Sequence, residues 1–211
     1  MNNNVKPTFT EEKLLKARGY DLIAGVDEAG RGALAGPVVA AAVILPGNIK
    51  DRWLTQVRDS KQLSPAKREV LFQCIQRSAI AISIGSASHE VIDIRGIVKA
   101  TRLAMKSAID KISPSPRYLL IDYISLPEVS LPQRGITFGD SKCLSIACAS
   151  IVAKVFRDRL MVEFGGSHNG YGLARHKGYG TREHLDCLNR LGPSPIHRRS
   201  FRPLKNSMLG R

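Results

Sequence analysis

Apolar and polar residues follow two different periods along the chain, and together they predict both strands and helices. Short apolar runs are typical of buried strands, and they occur at residues 20–26, 38–45, 80–84 and 118–121. Helical spacing and capping residues predict helices at residues 10–18, 65–77, 89–95, 97–112, 144–164 and 181–191. Prolines mark residues 126–135 as a loop. The mixture predicts an α/β protein with a central mixed β-sheet flanked by helices.

Carboxylates stand at the ends of two of the predicted strands. Asp27 and Glu28 close the first strand, directly before a turn at Gly30–Gly32, and Asp122 closes the fourth. Asp140 precedes the long helix. Strand ends at one edge of an α/β sheet are where such folds place ligands. Acids gathered there repel one another unless cations neutralise them, so the set predicts two divalent ions, Mg²⁺ or Mn²⁺, and phosphoryl chemistry.

The strand geometry sets a condition on this site. Neighbouring residues of a strand point to opposite faces, so Asp27 and Glu28 are expected to reach one metal only if the strand breaks or bulges. Scattered acids at strand ends also serve as caps or ion-pair partners. A dinucleotide fingerprint at Gly30, Gly32 and Ala35 is disfavoured, because a second strand rather than a helix follows it. The P-loop pattern fails because its Lys-Ser/Thr pair is missing.

The charge balance points to an anionic polymer. The chain has 32 Lys and Arg against 18 Asp and Glu, a net charge of +14 with a pI near 10.0. Half of this excess lies in residues 166–211, which favours nucleic acid over a membrane surface. The four cysteines form no metal-binding pattern and are expected to be reduced, which predicts a cytoplasmic protein. No signal peptide or membrane-spanning stretch is predicted.

Taken together, the motifs resemble bacterial ribonuclease HII, a type 2 ribonuclease H family, over most of the chain. The matching segments are residues 25–32, 35–43, 59–61, 122, 139–140, 149–155, 176–181 and 197–201. The resemblance implies an RNase H-like core at residues 20–164, after an N-terminal tail and short helix at 1–19. Residues 165–211 are then a basic helical C-terminal extension of the same domain that binds substrate.

The resemblance also implies an activity and its catalytic residues. The family cuts the RNA strand of RNA–DNA hybrids and cleaves 5′ to ribonucleotides embedded in duplex DNA, leaving 3′-hydroxyl and 5′-phosphate ends. Asp27, Glu28 and Asp122 match the principal metal ligands, and Asp140 completes the second metal site of a two-metal mechanism. No oligomer is indicated, so a monomer is expected. The alternatives are another acid-cluster nuclease, of resolvase or exonuclease type, and a basic RNA-binding module.

Substrate contacts carry over in the same way. In the family, backbone groups of the segment matching Gly30, Arg31 and Gly32 contact the 2′-hydroxyl and phosphates at the RNA–DNA junction. Tyr179 matches the tyrosine whose ring packs on the sugar of the next deoxynucleotide. The basic residues expected to contact phosphates are Lys61, Lys177, Arg198 and Arg199.

Three positions depart from the family pattern. Tyr123 stands after the third acid, where glycine is usual, and a bulky residue there is expected to shift the backbone or narrow the groove. Residues 165–172 lack an expected proline, which leaves the shape of that loop open. Cys148 stands where alanine is common, a small change in size that should be tolerated.

Overall fold

The computed structural model describes residues 6–207, which form a five-stranded sheet with helices on both faces. The strands are β1 Ile23–Ala29, β2 Val38–Ile44, β3 Ala81–Ala87, β4 Tyr118–Asp122 and β5 Gln133–Ile136. Their order in the sheet is β3-β2-β1-β4-β5. The first three strands are antiparallel, whereas β4 runs parallel to β1 and β5 runs parallel to β4. The predicted mixed sheet is confirmed.

The helices connect and cover these strands. They are α1 Thr10–Ala17, α2 Pro65–Ser78, α3 His89–Arg95, α4 Ile97–Lys111, α5 Gly139–Lys142, α6 Leu144–Ser167, α7 Leu173–His176, α8 Arg182–Leu191 and α9 Leu204–Ser207. Local sequence fixes several starts. Ser64 accepts a hydrogen bond from the Lys67 N–H with Pro65 in the first turn, and Thr181 accepts one from the His184 N–H.

Two helices form the main layers around the sheet, α4 on one face and α6 on the other. Every residue of β2 is buried between them, which explains its continuous run of Val, Ala and Ile. Glycine permits the closest contacts. A Cβ on Gly25 would lie 2.1 Å from the backbone of Ser145 in α6, and one on Gly85 would lie 2.1 Å from Ala104 O in α4. Helix α6 therefore packs directly against β1 at Gly25.

Two differences from the sequence prediction bear on the end of the sheet that carries the acids. The loop expected at residues 126–135 contains the start of β5, whose mostly exposed residues give no apolar run because it is an edge strand. The Gln133 side chain holds the preceding turn by bonding the N–H and C=O of Leu126. The first strand starts at Ile23 rather than Tyr20 and runs on to Ala29. Its hydrogen-bonded ladder therefore includes both acids.

A helix that spans a bilayer needs about 20 predominantly apolar residues. Within residues 6–207, no helix is both long enough and apolar enough to cross a membrane.

Candidate active site

The register of two parallel strands brings the first carboxylates together. β1 and β4 pair as far as Val26 and Ile121, so the next residues, Asp27 and Asp122, occupy neighbouring positions on one face of the sheet. The same face carries Gly25 against α6. Asp27 is only 4% exposed, and Asp122 lines a groove of about 850 Å³. The ends of β1 and β4 thus place Asp27 at the floor of the groove and Asp122 in its wall.

The side chains of Asp27 and Glu28 approach the same groove although β1 is not interrupted at these residues. The prediction of a break or bulge in β1 is wrong, because β1 pairs with β2 in unbroken antiparallel register through Ala29. Pairing with β4 ends at Val26, which leaves the other edge of β1 open to the groove. Glu28 lines the groove, Asp27 lies beneath it, and the charge of Glu28 contributes to the raised pKa of Asp27.

The turn into α5 adds the fourth predicted acid. The Gly139 N–H donates to Asp122 Oδ1 at 2.7 Å, which fixes that carboxylate. A Cβ on Gly139 would lie 2.7 Å from Ile146 Cδ1 and 3.2 Å from Asp122 Oδ1, so a side chain has no room there. Asp140 follows directly and is 7% exposed. All four predicted acids therefore meet at one end of the sheet.

Burial and mutual repulsion make these carboxylates reluctant to ionise. Desolvation, followed by the charges of Glu28 and Asp122, raises the pKa of Asp27 well above its usual value. Desolvation raises the pKa of Glu28 against the opposing effect of Arg31, which donates to Glu28 Oε1 at 3.3 Å. Desolvation also raises the pKa of Asp122, and it raises that of Asp140 to about 6.

A fifth acid, Asp59, lies in the same groove and was missed as a member of the acid group. Its carboxyl lies beside that of Asp140, and its charge is the largest cause, after desolvation, of the raised pKa of that residue. It also accepts the Lys61 N–H at 2.9 Å, which caps a short 3-10 helix at Ser60–Gln62. Burial lowers the pKa of Lys61, but the surrounding carboxylates raise it overall. The Asp-Ser-Lys motif was the signal that could have identified Asp59.

Serine and arginine side chains tie this acid-bearing connection to α6. The Ser60 and Ser150 hydroxyls share a hydrogen bond of 3.0 Å, and the Ser150 hydroxyl lies near Asp27 and acts against the raised pKa of that carboxyl. Arg68 donates to Ser60 O at 2.8 Å and lies 3.7 Å from Asp158 of α6. Hydrogen bonds and an ion pair between the short 3-10 helix, α2 and α6 therefore hold the floor of the groove.

The donor set fits a hard divalent cation. Carboxylate oxygens converge, and neither His nor Cys lines the groove, which matches the ligand preference of Mg²⁺ and Mn²⁺. In the described part of the chain, no three Asp, Glu, His or Cys side chains already have the arrangement of a metal site. The carboxylates that line the groove would be the groups to hold an ion. Their raised pKa values show that the pocket disfavours uncompensated negative charge.

Metal-free stability should depend on pH through Asp140. Its pKa is raised from 3.8 to about 6, so the stabilisation it contributes is present below about pH 4 and is lost as pH rises through about 6. The side chain of the Asp140→Asn variant does not ionise, so the variant does not lose this stabilisation as pH rises. We expect the free energy of unfolding of the variant, relative to wild type, to increase between about pH 4 and pH 7 in denaturant titrations with chelator. A difference that does not change with pH would contradict the assignment.

A buried arginine supports the turn at Gly30–Gly32. Arg157 of α6 is fully buried and donates at 3.0 Å to each of three carbonyls, those of Ala35, Pro37 and Lys177. A Cβ on Gly30 would lie 1.9 Å from Arg157 Nε, and Gly30 has a φ of +95°. Only glycine fits at this point of the turn. The guanidinium therefore joins the turn to the C-terminal extension.

A second buried arginine corrects one predicted phosphate contact. Arg198 is fully buried and donates to Gly36 O at 2.9 Å and to Arg31 O at 2.8 Å. It cannot reach a phosphate, because its charge is used to hold the backbone of the same turn. Arg199 is exposed, and its N–H donates to Asp93 Oδ2 at 2.9 Å. Sequence alone does not distinguish two adjacent arginines that point in opposite directions.

Tyr179 lines the groove on the side of this turn. Its ring lies beside two cations of α6, with Lys154 Nζ at 5.2 Å and Arg157 Cζ at 5.3 Å from the ring centroid. Its carbonyl bonds His184 Nδ1 at 2.9 Å, and His184 Nε2 lies 2.9 Å from His197 Nε2. The backbone of Tyr179 is therefore anchored to buried groups of the C-terminal extension.

The hydrogen bonds of these histidines assign their protons. The Ser194 N–H donates to His197 Nδ1, so the His197 proton lies on Nε2 and is donated to His184. His184 accepts there and donates from Nδ1 to Tyr179 O. Both rings are neutral in this chain of bonds. Burial, followed by repulsion from His184, lowers the pKa of His197 to about 4, and burial also lowers that of His184.

The structure gives a reason for the glycine that the resemblance predicts at position 123. Tyr123 has a φ of 60°, a left-handed conformation that glycine adopts without strain. Its side chain is exposed and lines the groove, so it narrows the opening rather than displacing Asp122. Cys148 is buried in the core between sheet and helices, where a small side chain fits. Residues 165–167 extend α6, and Gly170 and Gly172 then turn the chain with positive φ values.

Tyr123→Gly should therefore stabilise the protein. Release of the left-handed strain outweighs the extra freedom of glycine in the unfolded chain, for a net gain of about 0.5–1 kcal/mol. Ser125→Gly in the same loop is the matched control, because Ser125 is not among the positive-φ residues of the described chain. It should lose stability by a similar amount. Chemical denaturation of both variants checks the opposite signs, and a loss of stability in Tyr123→Gly would contradict this interpretation.

Comparison with known proteins identifies the family. The profile of the ribonuclease HII family matches residues 24–204. A ribonuclease HII from Dehalococcoides mccartyi is 56% identical over 204 residues, covering 97% of this chain and 96% of that protein. A ribonuclease HII from Desulfitobacterium hafniense is 51% identical over 204 residues, covering 97% of this chain and 77% of that protein.

A solved structure confirms the fold. The crystal structure of ribonuclease H2 from Pyrococcus horikoshii superposes with a TM-score of 0.74 at 24% identity, covering 88% of this chain and 96% of that one. The mixed sheet, its flanking helices and the helical C-terminal extension thus form an RNase H-like fold. With the family profile matched over most of its length, this chain belongs to the ribonuclease HII family of ribonuclease H enzymes.

Proposed function

We propose that the protein hydrolyses the RNA strand of RNA–DNA hybrids and cuts 5′ to ribonucleotides embedded in duplex DNA, as the first step of their removal. The ends would be a 3′-hydroxyl and a 5′-phosphate. The observation that carries the proposal is one groove that combines the acids, the turn at Gly30–Gly32 and Tyr179. Membership of the ribonuclease HII family supports it.

The acids hold the reacting groups in this proposal. Asp27, Glu28 and Asp122 would hold divalent cations, Mg²⁺ or Mn²⁺, and Asp140 would complete a second site. Two bound cations supply activation of the attacking water and stabilisation of the leaving 3′-oxygen. The protein contributes no covalent nucleophile. The protein's own part is orientation: the Gly139 N–H fixes the Asp122 carboxylate, and the Glu28 N–H donates to that of Asp27.

Recognition of the ribonucleotide falls to the turn and to Tyr179. Backbone groups at Gly30–Gly32 would contact the 2′-hydroxyl, which distinguishes RNA from DNA at a single nucleotide. The buried Arg198 holds the carbonyl of Arg31 in this turn, whereas Arg157 packs against Gly30 and bonds Ala35 O in the segment that follows. Tyr179 would pack on the sugar of the following deoxynucleotide, with its backbone held by His184.

Basic residues around the groove would contact the phosphates. Lys61 is exposed beside the acids. Beyond Tyr179 the groove continues into a second cavity of about 370 Å³, whose lining includes Lys154 and Lys177. Burial lowers the pKa of Lys177, with further contributions from nearby cations, which disfavours its charge until an anion arrives. Affinity for the duplex should therefore fall steeply as salt rises.

The proposal is tested by a gel assay on duplex DNA that carries one ribonucleotide. We expect a single cut 5′ to the ribonucleotide with Mg²⁺ or Mn²⁺ and none with chelator. A hybrid of RNA and DNA is the second substrate, and an all-DNA duplex is the control. Cutting of the all-DNA duplex would favour a resolvase or exonuclease, and binding without any cutting would favour an RNA-binding module.

We further propose that the protein works as a monomer in the cytoplasm, with residues 20–164 and 165–211 in one domain. The four cysteines are unpaired thiols, as a reducing compartment requires. Hydrogen bonds from Leu34 N to Gly178 O, 2.7 Å, and from Gly36 N to Ile196 O, 2.9 Å, join the two segments. Light scattering and a single cooperative unfolding transition are the corresponding measurements.

A further inference from the structure

Backbone strain in the described chain is concentrated at the groove. Within residues 6–207, the non-glycine residues with positive φ are Tyr123 at 60°, Phe138 at 56° and Lys177 at 54°. Tyr123 and Phe138 line the acid groove, and Lys177 lines its continuation. Strained conformations of bulky residues persist where the surrounding structure enforces them, and they are common at ligand sites.

Two of these residues also expose large aromatic rings. Tyr123 is 66% exposed and Phe138 is 70% exposed. In the described part of the chain, neither ring stacks on another ring or on a cation, and the Tyr123 hydroxyl makes no hydrogen bond. Packing inside the protein therefore does not explain why aromatic residues occupy these positions.

The sheet places both rings on one side of the acids. Asp122 pairs with Ile136 across β4 and β5, so Tyr123 follows one strand end and Phe138 follows the other. This is the β5 edge of the sheet, whereas Tyr179 lies by the loop that follows β1. The carboxylates therefore lie between Tyr179 and the two aromatic rings.

The chemistry of this side differs from that of the rest of the groove. Its lining residues beyond the acids are Tyr123, Thr137, Phe138 and Ser141, which carry no charge. Cations line other parts of the groove, at Arg31, Lys61, Arg68 and Lys154, and Lys61 faces the acids themselves. A strand that leaves the acids toward β5 meets aromatic faces rather than phosphate-binding groups. Nucleobases and sugars bind such faces by stacking.

We propose that Tyr123 and Phe138 form an aromatic clamp for the nucleotides that lie 5′ of the cleaved phosphate. The direction rests on the proposed function, because Tyr179 would hold the nucleotide on the 3′ side. The clamp contributes affinity by stacking on bases or sugars. It determines how strongly the enzyme holds the strand upstream of a ribonucleotide.

The first test needs no substitution. Duplexes carrying 2-aminopurine at single positions on either side of the ribonucleotide are titrated with wild-type protein in chelator. We expect a change in 2-aminopurine fluorescence at positions immediately 5′ of the cleavage point on binding. A change confined to the 3′ side, with binding intact, would overturn the clamp. Absence of any binding to these duplexes would instead count against the proposed function.

Substitutions then separate stacking from charge. Phe138→Asn keeps a residue that tolerates left-handed backbone, and Tyr123→Gly removes strain along with the ring. Removal of one ring should raise Kd about tenfold and leave the salt dependence of binding unchanged. Phe138→Trp keeps an aromatic ring and should bind the duplex with a Kd close to that of wild type. Ile94→Asn, at an exposed apolar position outside the groove, is the control and should leave Kd unchanged.

Two results would overturn the proposal. One is unchanged Kd in both ring-removing variants when their melting temperatures show intact folding. The other is a lower salt dependence in Phe138→Asn, which would mean that phosphate contacts had been lost. Lys177→Ala provides the contrast, because loss of a phosphate contact should lower the salt dependence of binding.

Discussion

Asp27→Asn should abolish cleavage while leaving duplex binding nearly unchanged. The amide keeps the size of the side chain but removes the charge that the proposed metal site needs. We expect the cleavage rate to fall on the order of a thousandfold or more. Binding should persist because the cations around the groove are untouched. Single-turnover cleavage and a binding titration of the same variant measure the two effects. Near-wild-type turnover would refute the assignment of Asp27.

The same variant should be more stable than wild type when metal is absent. Burial and the charges of Glu28 and Asp122 disfavour the ionised Asp27 carboxylate, and asparagine removes that repulsion. Its melting temperature in chelator should therefore rise, and added Mg²⁺ should stabilise it less than wild type. Asp21→Asn, at an exposed position, is the control and should change neither property.

Arg157→Leu should cause the largest loss of stability among the buried charged positions. It leaves the carbonyls of Ala35, Pro37 and Lys177 without their donor. Each orphaned group costs about 1–3 kcal/mol, and removal of a buried cation offsets part of the sum. We expect a net loss of about 3–5 kcal/mol, which lowers the melting temperature by roughly 8–15 °C.

Arg159→Leu is the matched control on the same helix. Arg159 is exposed and pairs with Glu69, and it stacks over Phe72 with its Cζ 4.9 Å from the ring centroid. An exposed ion pair contributes little, so the loss should stay below about 1 kcal/mol. Equal losses in the two variants would show that the buried hydrogen bonds of Arg157 do not stabilise the turn.

The sequence allowed prediction of much of the fold, because its buried strands are continuous apolar runs. β2 is fully buried and was predicted within one residue at its C-terminal end. α3 was predicted at its observed bounds, where Ser88 and Gly96 flank it. The acids were predicted as a group because ends of parallel strands share one edge of the sheet, and the register of β1 and β4 brings Asp27 beside Asp122.

What sequence reasoning missed depends on long-range contacts. β5 is an exposed edge strand, so its pairing with β4 leaves no apolar signature. The unbroken ladder at Asp27 and Glu28 depends on where β4 stops pairing, which no local pattern records. The burial of Arg198 is set by carbonyls more than 160 positions away along the chain. Local patterns predict elements, but such partners appear only after the chain has folded.

The hydrogen bonds from Arg198 to these distant carbonyls also determine when the site is complete during synthesis. Ribosomes release a chain from its N-terminus, and the acids emerge long before Arg198 is made. Until then the turn at Gly30–Gly32 lacks the donors that hold Arg31 O and Gly36 O. A nascent chain thus carries its acids on an unfinished scaffold. The turn that would contact the substrate is therefore complete only after Arg198 has been made.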